Sequence, residues 1–154
     1  MKKSFFINGG AGRVLCAIPA LESYKQNVDP DVVIVAEAWP ELFLSSPIIR
    51  DNVFSVNHKG LFQEKLKDRE IISPEPYRLN TYFNQKCNLI QAFDLIINES
   101  QTIPETKAFN LEINKSDQVF AQNLVNEAKD TSGKDKVVVF QPFGSGVTKD
   151  GGFV

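Results

Sequence analysis

Three glycines in four positions, Gly9, Gly10 and Gly12, stand between a short apolar run and an amphipathic one, with Arg13 directly after them. Phe5-Phe6-Ile7 reads as a buried strand. Val14, Leu15, Ile18, Leu21 and Tyr24 recur at spacings of three and four, which is one face of a helix. Glycines between a strand and a helix let the backbone turn tightly and come close to another group. The helix that follows turns its unpaired N–H groups and the positive end of its dipole toward the turn, where an anion or polar ligand can sit. A glycine turn of this kind also serves simple close packing of strand on helix, and that reading stays open beside the first. The spacing does not give G-x-G-x-x-G, and no G-K-[ST] follows, so a P-loop is excluded.

The elements that position this turn are legible along the chain. Pro19 falls inside the first helical pattern, where it cannot donate to the Leu15 carbonyl, so the helix bends there or its regular part begins there. Val32-Val33-Ile34-Val35-Ala36 is a continuous apolar, β-branched run, the pattern of a strand covered on both faces. Pro40 opens a short helix, and Val53 to Val56 forms a third strand. Leu61 to Asp68 reads as a surface helix. Ile71-Ile72 marks a fourth strand, stopped by Pro74 and Pro76. Cys87 to Ile97 carries Leu89, Ile90, Phe93, Ile96 and Ile97 at helical spacing, and Gln101 to Phe109 is a loop. Leu111-Glu112-Ile113 is a minimal strand. A helix follows, capped by Asn114 or Ser116 and closed at Gly133. Lys136 to Phe140 reads as a strong strand that leads into a second glycine loop, Gln141 to Gly146. Strands alternating with helices predict an α/β fold, a Rossmann-like doubly wound parallel sheet. In such a sheet the loop after the first strand lies at the ligand-binding edge. The last strand has no partner in the sequence after it. It therefore reads either as the start of a second domain cut short, with residues 1–132 as one domain and 133–154 as the beginning of another, or as the closing strand of a single sheet.

Composition narrows the function. The 154 residues are 42% hydrophobic and 23% charged, ordinary values for a soluble domain with a core of its own. A net charge of −2 argues against a general nucleic-acid binder, which needs a basic surface to neutralise phosphates. No apolar run approaches a transmembrane length. Cys16 and Cys87 have no metal-ligand spacing, no metal site is expected, and a reducing cytoplasmic location fits a chain with two isolated cysteines.

The stretch Gly12-Arg13-Val14-Leu15-Cys16-Ala17-Ile18-Pro19-Ala20-Leu21 resembles the signature near the start of the ADP-heptose–lipopolysaccharide heptosyltransferases, glycosyltransferase family 9. Asp31 to Ala36 with Pro40, and later Leu111 to Ile113 with the helix and the strand Val137 to Phe140, resemble that family's elements in order. The resemblance implies the N-terminal half of a GT-B enzyme, which binds the acceptor and faces a donor-binding domain across a cleft. It implies inverting transfer from a nucleotide-sugar donor to a saccharide acceptor, without metal or cofactor, and peripheral membrane association through the acceptor. Gly9, Gly10, Gly12 and Arg13 then fall on the acceptor or anion side. Gly144, Ser145, Gly146, Thr148 and Lys149 fall where the family's donor-phosphate loop lies, and their amides, hydroxyls and point charge suit a diphosphate. The family's tryptophan-proline after that lysine is replaced by Asp150-Gly151. The family's general-base aspartate falls on Arg13, which stays protonated and cannot be a base. Arg13 can instead pair with a phosphate or carboxylate, and Glu37 or His58 are the remaining candidates for the base. The alternative is a Rossmann-like nucleotide- or phosphate-binding module that catalyses nothing.

Overall fold

The computed structural model describes residues 2–140, which fall in two compact units, Met1–Glu112 and Ile113–Val154. This division lies twenty residues before the 132/133 boundary expected from the sequence, so the long helix of the later part belongs to the second unit.

The first unit is built on four parallel strands: β1 (Lys2–Ile7), β2 (Val33–Ala36), β3 (Val53–Ser55) and β4 (Arg69–Ile72). Their order in the sheet is β3-β2-β1-β4. β1 pairs with β2 in the register Ile7 to Ala36 and with β4 in the register Phe5 to Ile72, while β2 sets Ala36 against Ser55 of β3. This is an α/β, Rossmann-like arrangement. β2 is buried at every position, the outcome its unbroken apolar run requires.

Alternation along the strands sends side chains to two cores. Phe5, Ile7, Ile34 and Ala36 point to the face covered by helix α1 (Ala11–Asn27) and helix α4 (Leu89–Ile97), where Val14, Ile18, Leu21, Phe93 and Ile97 are fully or almost fully buried. Val33 and Val35 point to the other face and meet Leu66, Phe6 and Phe54. Leu66 belongs to a π-helical turn, Phe62–Leu66, in which Lys67 N–H reaches back five residues to the Phe62 carbonyl. The surface helix expected over Leu61 to Asp68 is thus present in this wider form. Between these elements lie α2 (Pro40–Leu44), with proline at its first position, and α3 (Asn80–Phe83), part of the aromatic connection ahead of α4. α4 begins with a reciprocal cap: Asn88 Oδ1 accepts from Gln91 N–H, and Gln91 Oε1 accepts from Asn88 N–H.

α1 runs unbroken through Pro19, so the sequence's choice between a bend and a late start resolves as a proline inside a helix of 17 residues. One turn further on, Glu22 is buried on the face toward Ser46, whose hydroxyl donates to its Oε1. Burial pushes the Glu22 carboxyl above its ordinary value, and the Ser46 hydrogen bond offsets only part of this. Between the ordinary value and the raised one, the folded chain therefore binds a proton here that the unfolded chain has released. From about pH 4.5 upward, this group's contribution to stability falls until the raised folded pKa is passed, and is constant beyond it. Glu22→Gln keeps an oxygen for Ser46 and carries no charge. Its unfolding free energy should match the wild type near pH 4 and exceed it at neutral pH. Thermal unfolding across that range checks this, and a difference that is flat with pH would refute it.

Two expected strands are not formed. Leu111 packs on the core and Glu112 N–H donates to the Ser45 carbonyl at 2.7 Å, a single anchor rather than a ladder. Residues 136–140 also lie outside any strand, with Val138, Val139 and Phe140 at least 81% exposed. Apolar, β-branched sequence makes a strand only where a neighbour takes its N–H and C=O groups, and among the described residues none does so here. The second unit is described through helix α5 (Lys115–Ser132). Asn114, not Ser116, caps it by accepting from Asp117 N–H, and Gly133 closes it in the left-handed conformation at φ 63°. Gly144, Ser145, Gly146, Thr148 and Lys149, the expected donor-phosphate residues, lie outside the described residues.

Candidate functional site

Because all four strands run the same way, their C-terminal ends share one edge of the sheet. Asn8-Gly9-Gly10 leaves β1 there, Glu37-Ala38-Trp39 leaves β2, Val56-Asn57-His58 leaves β3, and Ser73-Pro74-Glu75 leaves β4. The chain passes from β1 to β2 on one side, while β4 lies on the other. The crevice between the loops of β1 and β4 is therefore the switch point of the sheet, where ligands of open α/β folds bind.

Arg13 spans this crevice. Its Nη2 donates to the Pro74 carbonyl at 2.7 Å and stands 3.5 Å from Glu75 Oε1. Its guanidinium carbon lies 5.2 Å from the centre of the Tyr77 ring and 5.6 Å from that of Phe93. The side chain is only 10% exposed, yet its buried Nε–H has no hydrogen-bond partner. An unpaired buried donor costs about 1–3 kcal/mol, so this resting position is incompletely satisfied.

The three glycines divide by role. Gly9 sits at φ 95°, and a Cβ there would come within 2.8 Å of Arg13 Cδ, so backbone shape and the overlying arginine both require glycine. Gly10 and Gly12 have no such requirement. Gly10 is the N-cap of α1 at φ −75°, Gly12 lies in the first turn, and nothing stands within 4 Å of a Cβ built on either. A glycine inside a helix costs about 1 kcal/mol against alanine. Here the return on that cost is an open approach to the backbone. No side chain caps α1, and its first backbone bond is Val14 N–H to the Gly10 carbonyl, which leaves the N–H groups of Ala11, Gly12 and Arg13 directed out of the helix. The arrangement can hold an anion through backbone donors, with a guanidinium beside it.

The two candidate bases are separated by the sheet. Glu37 N–H donates to the Ile7 carbonyl at 3.1 Å, which extends the β1–β2 ladder by one residue and sets Glu37, exposed, one strand away from the glycine turn. His58 is exposed in a turn after β3, its ring edge-on to Phe54 at 5.3 Å between centroids. It is two strands from β1, about 10 Å at ordinary strand spacing. The strand order thus sets Glu37 one strand from the glycine turn and His58 two. Burial pushes the thiols of both Cys16 and Cys87 up, away from the thiolate form a nucleophile needs.

Sequence reasoning did not pick out Pro74, Glu75 or Tyr77, which receive Arg13. Only the adjacency of β1 and β4 makes them neighbours, and nothing local in the sequence announces it. It also passed over Trp39, which follows Glu37 by two residues. Trp39 is 40% exposed and holds φ 55°, a conformation bulky side chains rarely adopt and one that concentrates at functional sites. Among the described residues, no group of three or more His, Cys, Asp or Glu side chains could hold a metal ion, and no helix is long and apolar enough to cross a membrane. No family model, no curated protein and no solved structure matches the chain.

Proposed function

We propose that the first unit is the acceptor-side domain of an inverting, metal-independent glycosyltransferase of the heptosyltransferase type. In this reading the turn Gly9 to Arg13 holds an anionic group of the saccharide acceptor. One observation carries it: an uncapped helix N-terminus, bared by two glycines that the fold does not need, beside a mostly covered arginine whose buried Nε–H has no partner. A phosphate or carboxylate offers two oxygens in the plane a guanidinium fork prefers, and rotation of Arg13 toward it would replace one short and one long hydrogen bond by a bidentate pair. In this reading Glu37, one strand from the turn where His58 is two, takes the proton from an acceptor hydroxyl as that oxygen attacks the donor's sugar carbon and the nucleoside diphosphate leaves. The nucleotide-sugar donor and the sugar-transfer chemistry rest on the sequence resemblance. An acceptor anchored in a lipid would hold the chain at a membrane surface from the cytoplasmic side.

A second reading has its own support. Arg13 stands where the resembled family has its aspartate base, and a permanent cation there favours a non-catalytic phosphate- or nucleotide-binding module. One set of measurements tests both. Inorganic phosphate should shift the backbone amide resonances of Gly9, Gly10, Ala11 and Gly12, and Arg13→Gln should weaken its binding about tenfold, the worth of one charge-assisted pair. If phosphate leaves those amides unmoved, the anion site is wrong and both readings fall. If it binds, sugar transfer from ADP- or UDP-linked donors in the presence of a donor-binding domain, lost in Glu37→Gln while phosphate still binds, supports the enzyme. Phosphate binding with no transfer even when that domain is present supports the module.

A further inference from the structure

The Tyr77 ring has a second neighbour. Its centre lies 5.7 Å from that of Tyr82, the two rings inclined at 72°, and together with Phe83 and Cys87 they line an open pocket of about 670 Å³. That volume is within the usual range for small-molecule sites, about 300–1,000 Å³. Phe83 is 77% exposed and Tyr77 46%, so their apolar surface faces solvent. The polar groups around the pocket are of two kinds. Asn88 and Gln91 are committed: they cap α4 and also donate to Thr106 Oγ1 and the Pro104 carbonyl. Among the described residues, the Gln85 side-chain amide, the Lys86 ammonium and the hydroxyls of Tyr77 and Tyr82 make no hydrogen bond or ion pair, while the Gln85 backbone N–H donates to the Tyr82 carbonyl. Gln85 is held at φ 57°, uncommon for a residue with a side chain.

The shape selects among ligands. Two aromatic rings set nearly perpendicular form a corner, whereas a flat base is best gripped in a parallel slot. A pyranose ring has what a corner takes: an apolar face of axial C–H groups to lie on an aromatic ring, and an edge of equatorial hydroxyls to meet phenol, amide and ammonium groups. Tyr77 links the pocket to the glycine turn: the Arg13 guanidinium lies over its ring, and the same residue lines the pocket. We infer that this pocket is a saccharide-binding site, seating a pyranose ring in the corner of Tyr77 and Tyr82 beside Phe83, with Gln85 and Lys86 on its hydroxyls. This deepens the proposed function, and as the acceptor's sugar site it rests on that reading.

The test uses the whole chain, with methyl glycosides of gluco, galacto and manno configuration and their 6-phosphates as probes, and adenosine as the flat-ring comparison. At least one glycoside should shift the resonances of Tyr77, Tyr82, Phe83, Gln85 and Lys86. Phe83→Ala, at a position too exposed to support the core, should weaken that glycoside about tenfold and leave the response of Gly9 to Gly12 to inorganic phosphate unchanged. The matching 6-phosphate should bind more tightly than the neutral glycoside and move both sets of resonances. If adenosine alone binds, or no glycoside moves the pocket, the saccharide site is overturned while the anion site stands. If glycosides bind the pocket but phosphate does not touch the glycine turn, the saccharide site stands and the acceptor reading of the turn fails.

Discussion

Replacing Phe93 by alanine is expected to destabilise the first unit by about 3–5 kcal/mol, the cost of removing a fully buried aromatic side chain from a close-packed core. Phe93 is 0% exposed and lies in the core shared by α4, α1 and the strands. It is also one of the two rings over which the Arg13 guanidinium rests. The substitution therefore leaves a cavity and takes a packing surface from a mostly covered cation, and the two losses add in the same direction. Small domains have about 5–15 kcal/mol of stability in all, so the variant should unfold at low denaturant or fail to accumulate. Phe93→Leu keeps most of the volume and gives a folded reference if the alanine variant does not fold. Denaturant midpoints of wild type, leucine and alanine variants should fall in that order, and a loss under about 1 kcal/mol for alanine would mean that Phe93 is not a core residue.

This core was largely legible in the sequence, because it is made by local periodicity. The apolar face Val14, Ile18, Leu21 and Tyr24 of α1, the unbroken run of β2, and Leu89, Phe93 and Ile97 of α4 each announce their element within a window of about ten residues, and burial follows from pattern. Caps were legible for the same reason: Asn114 and Gly133 act on neighbours three or four residues away. What could not be read depends on partners distant in the chain. Val137 to Phe140 and Leu111 to Ile113 have strand composition, but strand formation depends on a neighbouring edge that composition does not name. The site divides along the same line. The glycine turn could be found from Gly9, Gly10 and Gly12 alone. The destination of the Arg13 side chain could not, since Pro74 and Tyr77 meet it only because β4 takes its place beside β1 rather than beyond β3. Glu37 and His58 were equal candidates in the sequence, and the strand order separates them.

The second large effect is expected at Gly9, where function and strain meet. Gly9→Ala forces an L-residue to φ 95° and sets a Cβ 2.8 Å from Arg13 Cδ. The conformational part alone is worth about 1–2 kcal/mol. The steric part is relieved only if Arg13 leaves this position, giving up the Pro74 carbonyl and its seat over the Tyr77 and Phe93 rings. Gly9→Ala should therefore cost about 2–4 kcal/mol in the wild-type background and only the conformational 1–2 kcal/mol when Arg13 is already alanine, a coupling of at least about 1 kcal/mol in a double-mutant cycle. The same variant should lose the phosphate response of Gly10 to Gly12, since any shift of the turn redirects the first N–H groups of α1. Measured unfolding free energies for the two single variants and the double variant decide the matter. Additive costs would show that Arg13 does not lie over Gly9. A coupled loss of stability with phosphate binding intact would show that the arginine latches the turn without serving the anion.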